Sequence, residues 1–271
     1  MTSSSISPKG TALITGASTG IGAVYADRLA KRGYDLILIA RNAARLKVLA
    51  DRLTSETGRS VSTVAADLNN KADLSKVESI LRDDQSITLL VNNAGVGSVA
   101  SVLSDNVDEM EAMIGLNITA LTRLTYAVAP VFAAKGSGTI VNLSSVVGIA
   151  VEALNGVYSA SKSYVLSFGH ALQRDLANKG VRVQTVLPAA TATEFWDVAG
   201  YSKQKEAAST MTAEDLVDAA LVGLAQGELV TIPTLQDNDG WTRWEADRRA
   251  LAPKFANAKP APRYGISAPK A

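Results

Sequence analysis

The chain has 271 residues, a formal net charge of +1, no cysteine and a single histidine. This length and composition predict one globular domain, while the near-neutral charge argues against nucleic-acid partners. Without cysteines, and with only one histidine, a metal site is also not expected. The N-terminus is short and polar, and no later segment reaches eighteen unbroken apolar residues, so we expect a cytoplasmic protein without a membrane partner.

Short apolar runs rich in β-branched residues alternate along the chain with segments of helical periodicity. We predict strands at Thr11–Thr15, Leu36–Ala40, Val61–Ala66, Ile87–Val91, Thr139–Leu143, Val181–Leu187 and Leu229–Ile232. We predict helices at Ile21–Arg32, Ala43–Thr57, Lys71–Arg82, Val107–Lys135, Val157–Asn178 and Ala213–Gln226. This order is typical of right-handed βαβ units, and it predicts an α/β fold around a buried parallel sheet.

The two ends of the chain differ from its centre. We expect residues 1–9 to be a flexible N-terminus, residues 10–232 to be the globular domain, and residues 233–271 to be a C-terminal extension. In the extension, residues 241–255 could form a helix with Trp241, Trp244, Arg248 and Leu251 on one side. Such a helix would either cover the mouth of a pocket or join a subunit interface.

The loop after the first predicted strand is rich in glycine and opens the first predicted helix. It reads Thr15-Gly16-Ala17-Ser18-Thr19-Gly20-Ile21-Gly22. Ligands of parallel sheets lie beyond the carboxyl ends of the strands, and glycines beside free N–H groups at a helix start suit a pyrophosphate. The spacing GxxxGxG is not the GxGxxG of the commonest dinucleotide fingerprint, and such turns also serve packing alone.

The end of the second predicted strand indicates which dinucleotide fits. An NAD site has an acidic residue about twenty residues beyond the glycines, whereas this chain has Ala40 and then Arg41. Because an arginine pairs well with a 2′-phosphate, we predict that NADP(H) is preferred over NAD(H). The alternative is a solvated arginine at the start of a basic helix. Asp67, which ends the third strand, could hold the adenine amino group or serve as an ordinary cap.

Asparagines mark two further positions. Asn92 and Asn93 precede Ala94 and Gly95 at the end of the fourth strand, where side-chain amides can join adjacent strand ends and leave room for a ligand. Asn117 lies in an apolar helical stretch, where an unpaired amide would be unfavourable. It is expected either to bind backbone at a local distortion or to hold a water.

Three polar residues follow the fifth predicted strand. Ser145 comes directly after it, Tyr158 lies thirteen residues on, and Lys162 lies four residues beyond Tyr158. Residues four apart share one face of a helix, so Tyr158 and Lys162 should point into the same space. A nearby ammonium favours the phenolate and would lower the tyrosine pKa, which makes Tyr158 a candidate general acid/base.

Taken together, TGASTGIG, NNAG, Asn117, Ser145 and YSASK resemble the single-domain short-chain dehydrogenase/reductases over roughly residues 10 to 232. The resemblance implies a Rossmann-type doubly wound parallel sheet of about seven strands with helices on both faces. It also implies hydride exchange between NAD(P)(H) and an alcohol or carbonyl, most often in a homodimer or homotetramer built through the long helices.

The resemblance also implies roles for individual residues. Tyr158 would be the general acid/base, Lys162 would lower its pKa and bind the nicotinamide ribose, Ser145 would bind the substrate oxygen, and Asn117 would hold a water. The implied cofactor-binding residues are Gly16, Ser18, Thr19, Gly20, Ile21, Gly22, Arg41, Asp67, Leu68, Asn93, Ala94, Gly95, Tyr158, Lys162, Pro188, Thr191 and Thr193.

The stretch after the sixth strand departs from the family pattern. Members usually have Pro-Gly followed by a threonine, but here Ala189 follows Pro188, which restricts the backbone before Thr193. Residues 194–212 correspond to the substrate-covering segment of the family. The predicted pocket walls are Val147, Val151, Leu154, Phe195 and Trp196, which suit a hydrophobic ketone, aldehyde or secondary alcohol, although these rings could equally pack on the sheet edge.

Two functions therefore stand. The first is an NADP-dependent carbonyl reductase or alcohol dehydrogenase acting on a small molecule. The second is a regulator that binds NADP without turnover. The complete set of Asn117, Ser145, Tyr158 and Lys162 favours the enzyme.

Overall fold

The computed structural model describes residues 9–266 and divides the chain into two compact units, one ending at Thr234 and one beginning at Leu235. The expected flexible N-terminus lies almost entirely outside the described residues. The strands of the first unit are β1 (Thr11–Thr15), β2 (Asp35–Ala40), β3 (Val61–Ala65), β4 (Ile87–Asn92), β5 (Gly138–Leu143), β6 (Val181–Val186) and β7 (Val230–Thr231). Each agrees with its predicted position to within one residue at either end.

All seven strands form one parallel sheet in the order β3-β2-β1-β4-β5-β6-β7. The order reverses between β1 and β4, so the loops that leave these two strands diverge and open a crevice between them. The predicted doubly wound sheet is confirmed, and its topology places the crevice beside the glycine-rich turn.

Helices cover both faces of the sheet. They are α1 (Gly20–Lys31), α2 (Ala43–Thr57), α3 (Lys71–Asp83), α4 (Val107–Ile114), α5 (Leu121–Lys135), α6 (Gly156–Leu176), α7 (Phe195–Val198) and α8 (Ala213–Gln226). Apolar residues of α1, α2 and α8 pack on one face, and those of α3, α5 and α6 pack on the other.

The central strand β1 shows why a buried parallel strand reads as an unbroken apolar run. Ala12 and Ile14 belong to the core beneath α1 and α8, whereas Leu13 belongs to the core on the opposite face. Successive side chains of a strand point to opposite faces, so both faces must be apolar when both are covered. Burial of each large side chain contributes about 1.5–3 kcal/mol to folding.

The long predicted helix over residues 107–135 is interrupted. Between α4 and α5 the backbone forms a π-helical stretch, Gly115–Ala120, which a 3.6-residue period does not anticipate. By length and composition alone, Val107–Lys135 could cross a membrane, but Leu124, Val128 and Phe132 are buried against the sheet. The core helix of a globular protein has the same properties.

The second unit contains one helix of more than a single turn within residues 235–266, α9 (Asp239–Leu251). It begins two residues before the predicted start and ends at Leu251, where a 3-10 helical stretch, Ala252–Phe255, takes over. Pro253 explains this end, because proline lacks an N–H group and cannot continue an α-helix. Trp241 and Trp244 stack at 4.9 Å between ring centroids, and Arg248 lies over Trp244, on the predicted common side.

Candidate active site

A cleft of about 950 Å³ lies at the carboxyl ends of the strands. The predicted residues that line it are Gly16, Ser18, Thr19, Gly20, Ile21, Arg41, Asp67, Leu68, Asn93, Ala94, Gly95, Ser145, Val147, Leu154, Tyr158, Lys162, Pro188, Thr191, Thr193, Phe195 and Trp196. Gly22, Asn117 and Val151 do not line it. The chain therefore brings the glycine turn and the YSASK segment into one cavity.

The glycine turn is shaped by backbone geometry that only glycine adopts easily. Gly16 and Gly20 have φ angles of +64° and +54°. Gly22 lies behind the turn, where an added Cβ would be 2.3 Å from the Gly16 carbonyl oxygen. Gly22 therefore serves packing of the turn, whereas Gly16 and Gly20 shape the wall of the cleft.

The start of α1 leaves its first N–H groups available. Thr19 is extended and its side chain makes no capping hydrogen bond, whereas Asn42 and Asn70 cap α2 and α3 through their side chains. Uncapped N–H groups at a helix start attract an anion. Together with the close backbone approach at the glycines, this cradle fits the pyrophosphate of a dinucleotide.

Asn93 joins the ends of β1 and β4, as the sequence predicts for its amide. Its Nδ2 donates to the carbonyls of Thr15 and Gly16 at 2.9 and 3.1 Å. In return, the Thr15 Oγ1 accepts the backbone N–H groups of Asn93 and Ala94, both at 3.0 Å. Sequence reasoning did not single out Thr15, although a hydroxyl that ends a buried strand is a signal for such a tie.

The ribose end of the cleft is basic. Arg41 lines it and has no hydrogen-bond or ion-pair partner within residues 9–266. Arg45, which the sequence analysis did not select, lines the same wall one turn into α2. The Asp67 carboxylate lines the cleft and accepts the N–H of Asn69 at 3.0 Å, which is a local turn contact. Asp67 does not cap a helix, because the cap of α3 is Asn70.

Asn117 is buried inside the π-helical stretch. Its Oδ1 accepts the N–H of Val96 at 3.0 Å, and its Nδ2 donates to the Val96 carbonyl at 2.9 Å and to the Ser161 Oγ at 3.1 Å. Of the two expectations for this side chain, backbone binding at a local distortion is the one observed. The contacts fix the loop after β4 against α6, which carries Tyr158.

Ser145 and Tyr158 meet in the cleft. Asn155 starts α6 by accepting the N–H groups of Val157 and Tyr158 through its Oδ1, which sets the position of the tyrosine. The Ser145 side chain interacts with the Tyr158 side chain and lowers the pKa of the phenol. Ser145 also donates to the Pro188 carbonyl at 3.1 Å, so the serine is held from the end of β6. Ser145 and Tyr158 are therefore neighbours in the wall of the cleft.

Lys162 lies on the same side of α6 as Tyr158. Its Nζ donates to the Leu143 carbonyl at 2.9 Å and lies 5.7 Å from the centroid of the Tyr158 ring. Burial lowers the pKa of Lys162 to about 8, because a charged ammonium is poorly solvated there. The spacing of four residues thus places both groups in the cleft, as predicted.

The effect on the tyrosine differs from the expectation. Burial raises the pKa of Tyr158, and the Ser145 hydrogen bond lowers it by less. The predicted lowering by Lys162 is not observed, because desolvation dominates and the ammonium is bonded to a backbone carbonyl rather than to the phenol. The spacing of residues along a helix predicts which face a side chain occupies, but it does not predict how much water the side chain loses on folding.

Apolar side chains form the wall beside Tyr158. Met110 and Met113 of α4 cluster with Val147 and Tyr158, and Leu154 and Phe195 pack against them. The Phe195 ring lies 5.6 Å from the Tyr158 ring, and an added Cβ on Gly97 would lie 2.4 Å from the Phe195 Cζ. The two methionines were missed because α4 is distant in sequence from the other pocket residues. Val151 is 41% exposed and lies outside this wall.

The stretch after β6 approaches the glycine turn despite Ala189. An added Cβ on Gly20 would lie 3.1 Å from the Thr193 Cγ2, so Thr193 faces the turn. Thr191 is buried, and its hydroxyl donates to the Ala189 carbonyl at 3.0 Å. The backbone carbonyl of Thr191 accepts the indole N–H of Trp196 at 2.9 Å. Trp196 is thus held beneath the cleft wall, which leaves Phe195 as the ring over Tyr158.

Comparison with known proteins gives consistent matches. A sequence profile of the family described as short chain dehydrogenase matches residues 10–204. A solved short-chain dehydrogenase from Sphingobium yanoikuyae in complex with NADPH is 46% identical, with a TM-score of 0.91 over 94% of this chain and 100% of that one. A bulky-bulky ketone specific alcohol dehydrogenase from Comamonas testosteroni is 43% identical, with a TM-score of 0.87 over 94% of this chain and 98% of that one.

Curated sequences agree with the solved structures. An uncharacterized oxidoreductase of Staphylococcus saprophyticus is 32% identical over 222 residues, which cover 82% of this chain and 93% of that protein. The region that the family profile matches, residues 10–204, contains the glycine turn, the end of β4, Ser145 and the Tyr158–Lys162 pair. The chain therefore belongs to the short-chain dehydrogenase family of oxidoreductases.

Proposed function

We propose that the protein is an NADP(H)-dependent oxidoreductase that transfers a hydride between nicotinamide and a carbonyl or secondary alcohol, with Tyr158 as the general acid/base. The observation that carries this proposal is that Ser145 and Tyr158 are neighbours in the wall of the cleft that also holds the glycine turn and Lys162. A site that only bound a nucleotide would not require two converging hydroxyls beyond the nucleotide cradle.

The residues of the site have different roles in the proposed reaction. The nicotinamide, when bound, supplies or accepts the hydride. In reduction, negative charge grows on the carbonyl oxygen, and hydroxyl groups of Ser145 and Tyr158 aimed at that oxygen stabilise it. Tyr158 then gives its proton to the oxygen, and the ammonium of Lys162 stabilises the phenolate that remains. The raised pKa of Tyr158 keeps its proton in place until that moment.

The preference for NADP(H) is supported by the end of β2. Ala40 leaves no carboxylate that could accept hydrogen bonds from a ribose 2′-hydroxyl, and the guanidinium of Arg41 lines the cleft without a partner in the described chain. A planar guanidinium can bind a phosphate through two parallel hydrogen bonds. The relative from Sphingobium yanoikuyae was solved with NADPH, which agrees with this preference.

The substrate is proposed to be a hydrophobic ketone, aldehyde or secondary alcohol. Met110, Met113, Val147 and Leu154 present apolar surface next to Tyr158, and Phe195 covers the ring. Apolar walls with a few converging polar groups are typical of sites for such ligands. The relative from Comamonas testosteroni is specific for bulky-bulky ketones, which extends the proposal to ketones with two large substituents.

The assembly is proposed to be a cytoplasmic homodimer or homotetramer formed through the long helices. Tyr126 on α5 is 69% exposed and stacks on Phe168 of α6 at 6.3 Å between ring centroids. Phe168 also stacks on Tyr164 at 5.7 Å. An aromatic stack of this kind on two adjacent helices is suited to burial against a second copy.

The proposal is tested by replacing Tyr158 with phenylalanine. Oxidation of NADPH is followed spectrophotometrically with a panel of aromatic and aliphatic ketones and aldehydes, and Tyr158→Phe is expected to reduce turnover at least about a hundredfold. The phenyl ring keeps the contact with Phe195, so the dissociation constant for NADPH should stay within about twofold of wild type. Unchanged turnover would exclude Tyr158 as the acid, and NADPH binding with no turnover of any compound would favour a regulator.

A further inference from the structure

An ion pair links the two ends of the cleft. The Arg45 Nη1 lies 2.7 Å from the Glu194 Oε2, and the two side chains are about half exposed. Arg45 belongs to the first turn of α2, at the ribose end, and Glu194 directly precedes α7. The two residues are 149 positions apart, so the contact depends on the tertiary structure.

Each partner has a neighbour that matters for the proposed reaction. Arg45 and Arg41 line the same wall, and the Asn42 Oδ1 accepts the N–H of Arg45 at 3.0 Å, which holds the start of α2 in place. Glu194 is bonded along the chain to Phe195, whose ring lies 5.6 Å from the Tyr158 ring. The Arg45–Glu194 ion pair therefore connects the ribose end of the cleft with Phe195, the ring that covers Tyr158.

We infer that Arg45 is a second recognition residue for the 2′-phosphate of NADP(H), and that Glu194 occupies its guanidinium until that phosphate binds. This inference rests on the proposed function. An exposed ion pair between two single charges is weak, whereas a phosphate dianion placed between Arg41 and Arg45 can accept hydrogen bonds from both guanidinium groups. The phosphate therefore displaces the carboxylate.

Displacement of Glu194 has a consequence for substrate access. Without its partner, the start of the substrate-covering segment (residues 194–212) loses its tie to α2, and Phe195 can move away from Tyr158. NAD(H) lacks the phosphate and leaves the ion pair in place. Arg45 and Glu194 thus make access of the carbonyl to Tyr158 depend on the phosphorylated cofactor.

The first experiment measures dissociation constants for NADPH and NADH by fluorescence titration. Arg45→Gln should weaken NADPH binding on the order of tenfold and leave NADH unchanged. Glu194→Gln should tighten NADPH binding about threefold or more, because the competitor for Arg45 is gone. Lys47→Gln is the matched control: it removes a cation from the same helix, but Lys47 pairs with Asp51 and does not line the cleft. Its NADPH affinity should match that of wild type.

The double variant Arg45→Gln/Glu194→Gln separates competition from simple repulsion between Glu194 and the phosphate. If Glu194 acts by occupying Arg45, its replacement has no effect on NADPH affinity once Arg45 is absent. If Glu194 acts only through repulsion, its replacement tightens NADPH binding equally in both backgrounds, and the inference is overturned. Equal effects of Glu194→Gln on NADPH and NADH also overturn it.

The second experiment reports on the segment itself. In a Trp241→Phe/Trp244→Phe background, Trp196 is the remaining tryptophan of the chain, and it neighbours Phe195. Adenosine 2′,5′-bisphosphate should increase quenching of Trp196 by acrylamide, and AMP should not. Glu194→Gln should show the increased quenching without either compound. The same response to both nucleotides would refute the link between the phosphate and the segment.

These outcomes are separable from those of the proposed function. Neither nucleotide fragment carries a nicotinamide, and the NADPH and NADH titrations contain no carbonyl substrate, so quenching and binding are measured without turnover. Normal NADPH-dependent turnover with no response of Trp196 would leave the enzyme proposal intact and remove the inference. Loss of turnover in every assay, together with the expected quenching, would remove the enzyme proposal and leave the inference about Arg45 and Glu194 intact.

Discussion

Lys162 illustrates at the scale of one residue how burial sets the chemistry of the site. The residue is 6% exposed, and its ammonium donates to the Leu143 carbonyl. Burial lowers the pKa of the ammonium to about 8. In the unfolded chain a lysine has a pKa near 10.5, so the folded state resists protonation of this group. The charge that the proposed reaction uses therefore reduces the stability of the fold.

Lys162→Met should consequently stabilise the protein while abolishing turnover. Below about pH 8 both states of wild type are protonated, and the variant avoids an unfavourable buried charge worth up to about 3 kcal/mol, less what the hydrogen bond to Leu143 contributes. Between about pH 8 and 10.5 the unfolded state binds the proton and the folded state does not, so wild-type stability rises relative to the variant. Urea unfolding of both proteins at pH 7 and pH 10 measures the difference.

The control for this prediction is Lys179→Met, which replaces an exposed lysine in the 3-10 stretch Ala177–Lys179 that follows α6. Its unfolding free energy should follow that of wild type at both values of pH. A Lys162→Met protein that is less stable than wild type at pH 7 would show that the hydrogen bond outweighs the burial of charge.

Ser145→Ala gives a second prediction for a single residue. Removing the hydroxyl should lower kcat by about a hundredfold, because one hydrogen bond to the developing oxyanion is lost. NADPH affinity should be unchanged, and Ser145→Thr, which keeps a hydroxyl, should retain more activity than Ser145→Ala. A larger change in KM than in kcat would assign Ser145 to substrate binding rather than to the reaction. Steady-state kinetics with one reactive ketone measure both quantities.

The sequence predicts single residues when one local rule decides their position. The spacing of four places Tyr158 and Lys162 on one face, and the end of a strand places Ser145 in the cleft. Local rules do not reveal the carbonyl of Leu143 as the partner of Lys162, since the two residues meet only in the fold. The direction in which the pKa of Tyr158 shifts was not predicted, because the burial of the phenol is also a property of the fold.

At the scale of elements, the glycine turn depends on contacts between backbones. Gly22→Ala would place a Cβ 2.3 Å from the Gly16 carbonyl oxygen, and neither backbone atom can rotate away. We expect the variant to lose roughly 1–3 kcal/mol of stability and most of its NADPH affinity. Gly156→Ala is the control, since an added Cβ there meets nothing within 4 Å. Thermal unfolding and NADPH titration of both variants test this, and equal behaviour of the two would contradict it.

The elements themselves were largely predictable, and their interruptions were not. The alternation of apolar strands with periodic helices defines the sheet, because strands buried on both faces have an unmistakable composition. The π-helical stretch Gly115–Ala120 was invisible to a 3.6-residue period. Its one signal was Asn117, an amide in apolar surroundings whose partners, Val96 and Ser161, come from other parts of the chain.

At the scale of the whole molecule, the partly exposed stack of Tyr126, Phe168 and Tyr164 provides a test of assembly. Tyr126→Glu would bury a charge in any interface formed by α5 and α6, and we expect it to reduce the molar mass measured by light scattering. Val48→Glu, on the exposed side of α2, is the control and should leave the mass unchanged. If Tyr126→Glu keeps the wild-type mass, copies of the chain do not associate through this surface.

The reversal of strand order between β1 and β4 separates two tasks along the chain. The residues proposed to read the adenosine, Arg41, Arg45 and Asp67, precede β4, whereas Ser145, Tyr158 and Lys162 follow it. The hydroxyl of Thr15 and the amide of Asn93 fasten the two portions at the crevice, and the Arg45–Glu194 ion pair links them across the cleft. Changes to the nucleotide preference are therefore expected to concentrate in the first third of the chain and at Glu194, and need not disturb the groups proposed to handle the proton.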